Sequence, residues 1–351
     1  MLGVNVRRPV TGKAPSRTTS AVRRRVAVGV LVLLALMLMT FSFRQPDDGP
    51  IASAQSTAAA MLFVFVFAEA VRGSKRWIDL GPFQFQPSEF GKTFFVLAIA
   101  GFLVERGRRV TGIGTVLTAL GLGLVPMALV FLQPDLGTAL VYAAAFSAVL
   151  FLSGVRWLHL ALLGVTAVVL VTSVLWVLPS AGVQVLKPYQ TARLTGFTNP
   201  DSDPGGLTYN VTQSRTAVGA GGLSGRGVEG ASQTRLDYLP EHATDFVFAS
   251  FAEQRGFVGC SILLLLYLLV VWRGLRVITV AGDLYGAVVA GGIVFAFLFQ
   301  VFVNVGMTMG IAPVTGIPLP FVTVGGSSMV ANLVAVGVLQ SIHARGLDDG
   351  R

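Results

Sequence analysis

Of 351 residues, 53% are hydrophobic and only 12% are charged, about half the charged share of a soluble domain. The net charge of +9 sits on Lys and Arg residues at the N-terminus and in short loops between apolar runs, a topological pattern rather than a nucleic-acid-binding one. One cysteine, Cys260, and three histidines exclude a disulfide framework and argue against a metal-ligand cluster.

Apolar runs close to the ~20 residues that cross a bilayer recur along the chain. They predict an all-α polytopic membrane protein, a multi-helix transmembrane bundle with one large extracytoplasmic loop. A basic tail ending in Arg23, Arg24 and Arg25 precedes a run from Val26 to Phe43, which reads as an uncleaved anchor. Further runs follow at 58–71, 90–104, 112–132, 136–153, 157–178, 246–272, 284–308 and 326–343, giving nine candidate spans. Residues 1–58 therefore form a tail and anchor, and 59–345 a transmembrane domain, with a long polar loop at 179–245. Short loops carry Arg106, Arg108 and Arg109, then Arg156, then Arg273 and Arg276. The positive-inside bias puts these in the cytoplasm and the long loop outside. Two spans before residue 72 conflict with that count, and segment 58–71 is short and contains Glu69.

Ionisable groups at membrane depth are costly, so each is a functional candidate. Glu89 and Lys92 lie three apart at the start of an apolar run, spaced to pair on one helical face. They suit the lining of a polar cavity better than a helix-end pair with Lys92 snorkelling outward. Asp135, after Gln133 and Pro134, reads as the N-cap of a helix starting at Leu136. Asp245 ends the polar loop, with Glu241 and His242 upstream and Glu253 downstream. By its chemistry alone it suits an N-cap and a proton-abstracting base equally. Gln300 and Asn304 share a helix face, and Asn332 lies in the last span; such amides also join helices. The glycines at 219, 221, 222, 225, 227 and 230 fit either a phosphate cradle or a flexible stretch.

Several polar blocks together resemble the SEDS family of membrane glycosyltransferases, which polymerise the lipid-linked precursor of peptidoglycan. They run Arg76-Trp77-Ile78-Asp79-Leu80-Gly81, Gln86-Pro87-Ser88-Glu89 with Lys92, and Gln133-Pro134-Asp135-Leu136-Gly137-Thr138-Ala139. The loop adds Lys187-Pro188-Tyr189-Gln190, Arg193, Asn199-Pro200, Gln213-Ser214, Gly221 to Gly227, Leu239-Pro240-Glu241 and Thr244-Asp245-Phe246. Asn304-Val305-Gly306-Met307, Pro313 to Phe321 and Gly325-Gly326-Ser327-Ser328 complete the order. The Asp79 block and the loop start look more like the RodA, or elongation, branch than the FtsW branch. Ala243 stands where family members have His.

The resemblance implies a peptidoglycan glycosyltransferase that polymerises lipid II with inversion, Asp245 acting as general base. It implies substrate contacts from Glu89, Lys92, Arg76, Arg193, Arg215, Arg226, Gln213, Asn304 and Ser327. No cofactor is certain, although a divalent cation, Mg or Mn, fits a diphosphate leaving group. The implied partners are lipid II, a class B penicillin-binding protein and other elongation-complex proteins, all at the plasma membrane, and no nucleic acid. A lipid II transporter and a non-catalytic scaffold of the elongation complex are the competing readings. The segment from Arg23 to Met61 resembles instead the membrane anchor of MreC, and the first spans usual in the family are not matched.

Overall fold

The structure, a computed structural model, describes residues 78–79, 84–133, 135–180 and 207–349. The expected anchor, segment 58–71, Arg76 and Arg193 lie outside the described residues. A two-residue antiparallel pair comes first, β1 (Ile78–Asp79) against β2 (Gln84–Phe85), an element that hydropathy does not signal.

Helix α1 (Pro87–Glu105) begins on a proline, whose missing N–H costs nothing in a first turn. A 3-10 turn holding Arg108 and Arg109 leads to α2 (Ile113–Leu132). Helix α3 (Leu136–Leu152) starts where Asp135 accepts from Thr138 N at 3.1 Å, the cap expected there. Helix α4 (Trp157–Thr172) continues through a π turn, Ser173–Val177, to Ser180. Three shorter helices follow: α5 (Leu207–Gly221), α6 (Gly227–Gly230) and α7 (Ser232–Arg235). Then come α8 (Val247–Val280), α9 (Leu284–Thr308), capped by Asp283, and α10 (Gly326–Asp349).

Among the described residues six helices are long and apolar enough to cross a membrane. Helix α3, with 17 residues, spans about 26 Å and falls at the short end of the crossing range. Helices α1 to α4, and again α8 to α10, pack each on the next, so within each set the chain alternates between two ends. The 106–109 turn, Arg156, Arg273, Arg276 and Arg345 gather at one end. The other end holds β1–β2, the α2–α3 turn, α5 to α7, and the 309–325 segment.

Lipid removes the hydrophobic drive for helices to associate, leaving close packing and polar contacts to hold the bundle. Both are concentrated where α1, α3 and α9 meet. A Cβ at Gly292 would stand 2.7 Å from Val96 Cγ1 and Val149 Cγ2, so only a glycine lets the α9 backbone lie against α1 and α3. Phe95 packs beside Tyr142 and Phe146, with ring centroids 5.0 and 6.1 Å away. The Tyr142 hydroxyl donates to Ser88 O at 3.1 Å.

Candidate active site

The start of α8 is fixed from three directions. Phe246, not Asp245, occupies its N-cap position, and no side chain caps it. Asp245 is half-buried, and its carbonyl accepts from Asn304 Nδ2 at 3.1 Å. The same amide donates to Ile317 O at 2.8 Å, joining α8, α9 and the 309–325 segment. Thr323 Oγ1 donates to Thr244 O at 3.1 Å and accepts from Leu319 N at 2.7 Å. Val324 N reaches Ala243 O at 3.1 Å. Glu241, at φ 53°, receives the Thr244 hydroxyl on Oε2 at 2.6 Å.

On α1, Glu89 and Lys92 pair at 2.9 Å, 1% and 9% exposed. Lys92 therefore does not snorkel outward. With Thr93, Gln300 and Asn332 the pair lines a cavity of about 50 Å³ whose remaining walls are apolar, enough for about three waters. Gln300 lies one turn from Asn304, so the α9 face that grips Asp245 continues into the cavity. At the start of α1, Gln86 N donates to Ser327 Oγ at 2.7 Å, and Gln86 Nε2 to Asp135 Oδ2 at 3.2 Å. Ser327, fully buried, thereby ties α10 to the start of α1.

Part of the glycine stretch packs backbone against backbone. Gly256 breaks α8 at φ 64°, ψ −167°, a region open essentially to glycine alone. The N–H groups of Phe257 and Val258, released by the break, donate to Gly222 O and Leu223 O at 2.8 and 3.1 Å. A Cβ at Gly221 or Gly225 would lie within 2.3 Å of the carbonyl oxygens of Ala252 or Gln254. Gly221, Gly225 and Gly256 bring one backbone onto another.

Glu253, assigned no role from sequence, is fully buried. It accepts from Gln233 N, Thr234 N and Thr234 Oγ1 at 2.9, 3.0 and 2.8 Å, fixing α7 against α8. Arg226 is exposed, and its Nε donates to Ala220 O at 2.8 Å. Arg215 is exposed on α5, its Cδ 3.1 Å from where a Gly310 Cβ would stand. Gln213 is half-buried on the same helix. Among the described residues no three His, Cys, Asp or Glu side chains converge on a cation position.

A family model described as cell cycle protein, FtsW/RodA/SpoVE, matches residues 10–346. The chain belongs to this family. It is 41% identical over 290 residues to the peptidoglycan glycosyltransferase MrdB of Escherichia coli K12, covering 81% of this chain and 74% of that one. Among solved structures it resembles a chain of a peptidoglycan synthase complex that coordinates polymerization and crosslinking, with a TM-score of 0.72 and 32% identity over 92% of this chain and 89% of that one. The rod shape-determining protein RodA of Thermus thermophilus is similar at a TM-score of 0.57 and 29% identity, covering 94% and 89%. Within the FtsW/RodA/SpoVE family the chain thus sits on the RodA branch, as its Asp79 block predicts, and it is a multi-pass membrane protein.

Proposed function

We propose that this chain is a peptidoglycan glycosyltransferase of cell elongation that polymerises lipid II, with Asp245 as its general base. The observation that carries the reading is a half-buried carboxylate whose backbone is held by Asn304, one helical turn from the Gln300 that lines the cavity with Glu89 and Lys92, in a chain 41% identical to a named peptidoglycan glycosyltransferase. Asp245 takes the proton of the attacking sugar hydroxyl as its oxygen bonds to the anomeric carbon. The bond from that carbon to the diphosphate breaks, and the electron pair departs with the diphosphate from the opposite face. One displacement inverts the centre.

Arg215 and Arg226, with Arg76 and Arg193, are the cations proposed to meet the leaving charge. Glu89, Lys92 and Gln213 are proposed to contact the substrate, while the fully buried Asn304 and Ser327 are proposed to act through the backbone they hold, at Asp245 and Gln86. The arginines gathered at the opposite end of the bundle support an extracytoplasmic site by the positive-inside bias. The likeness to a synthase complex that coordinates polymerization with crosslinking supports a class B penicillin-binding transpeptidase as partner.

The test is polymerisation of purified lipid II by the solubilised chain, with and without that partner. Asp245→Ala is expected to lower the rate about 10²–10⁴-fold; an equal rate in parent and variant removes Asp245 as the base. For sidedness, Leu223→Cys is expected to react with a membrane-impermeant thiol reagent on intact cells and Arg108→Cys is not. The reverse pattern puts the site in the cytoplasm.

A further inference from the structure

Three consecutive carbonyls lead into the carboxylate of Asp245, and each receives a donor from distant sequence. Val324 N holds Ala243 O, Thr323 Oγ1 holds Thr244 O, and Asn304 Nδ2 holds Asp245 O, each at 3.1 Å. Neither side chain has freedom to do otherwise. The Thr323 hydroxyl already accepts from Leu319 N at 2.7 Å, so its single proton is committed to Thr244 O. Asn304 faces two carbonyls, which only its NH₂ group can satisfy, and Oδ1 is left buried without a partner. Thr323 is 6% exposed and Asn304 fully buried, so water does not compete for these bonds.

We propose that Thr323 and Asn304 are the positioning residues of the reaction, setting the direction of the Asp245 carboxylate by pinning the peptide planes that carry it. This rests on Asp245 being the base. With its backbone fixed, the carboxylate retains only its two side-chain torsions. The surroundings carry matching strain: Glu241 and Phe321 hold φ at 53° and 64° on the two segments that the donors join. Such conformations persist where neighbouring structure over-determines them. A base must lie within hydrogen-bond reach of the hydroxyl it deprotonates, so a loop that drifts loses rate rather than affinity.

The experiment measures kcat and KM for lipid II, together with the unfolding temperature, on the full chain in detergent. Thr323→Val keeps the shape and removes the donor, Thr323→Ser keeps the donor, and Asp245→Ala removes the carboxylate. Val149→Ala, in the α3 core, serves as a variant that loses stability far from the site. Thr323→Val is expected to lower kcat about 10- to 100-fold, the range set by a misplacement of ~1 Å, with KM nearly unchanged. Thr323→Ser is expected to restore kcat, and Val149→Ala to keep it despite a lower unfolding temperature.

Parental kcat in Thr323→Val, with activity lost in Asp245→Ala, overturns the positioning role and leaves the base in place. A kcat loss shared by Val149→Ala, or not restored by Ser, makes the effect one of stability and overturns it too. Full activity in Asp245→Ala removes the base itself, and the positioning proposal with it.

Discussion

Helices α9 and α4 are equally plausible spans by composition, yet 67% of the apolar stretch of α9 is buried and none of that of α4 is. The difference lies in small and amide-bearing residues rather than in hydropathy. Helix α9 carries Gly291 and Gly292 against α1 and α3, then Gln300 toward the cavity and Asn304 under Asp245. Helix α4 is built from bulky aliphatic residues such as Val165, Val168, Val169 and Leu170, all more than half exposed. In a bilayer an apolar surface gains little by meeting another apolar surface. A helix is recruited into the bundle by what lets it approach closely or form hydrogen bonds.

Substitutions that exchange those properties test the contrast. The largest effect is expected in the packed half, at the buried ion pair. Lys92→Met leaves Glu89 buried without its partner and is expected to cost up to about 3–5 kcal/mol, read as a lower unfolding temperature. Adding Glu89→Gln is expected to return part of the loss. Next comes Gly292→Val, which forces side-chain atoms into Val96 and Val149 and is expected to cost about 1–3 kcal/mol. Size-exclusion profiles in detergent, broadened for this variant, give a second readout. The smallest effect belongs to α4, where Val169→Ala is expected to stay within about 0.5 kcal/mol. A large loss there shows that α4 is held by something other than lipid.

The sequence made the described spans legible because hydropathy coincides with local punctuation. Asp135 caps α3, Pro87 opens α1, and the run at 284–308 matches α9 to the residue. Where punctuation is absent the reading falters. The run expected at 246–272 extends to Val280 and is broken at Gly256, because a single glycine beside Arg255 does not alter the apolar average. Helix α5 lies hidden inside the polar loop because its buried residues are Ser214, Ala217 and Gly221, three small residues that leave no apolar stripe to detect.

The site divides in the same way. Asp245, Glu89, Lys92 and Asn304 stand out as polar groups bordering apolar runs. Thr323, Glu253 and Gln86 do not, because each acts on backbone or side-chain groups far away in sequence, and such pairings leave no local trace. Thr323 grips a carbonyl 79 residues distant. The glycines at 221, 225 and 256 share this obscurity, since close approach of two backbones needs both partners to be seen.

The grip on carbonyl oxygens bears on which substitutions this loop tolerates. Every amino acid carries a carbonyl, so residues 243 and 244 meet the demands of their donors whatever side chains they bear. Ala243 offers its carbonyl to Val324 N as any residue in that place would. For these three bonds the side chains that matter are those of Asn304 and Thr323, together with the backbone of Val324, while residues 243 and 244 take part through their backbones alone.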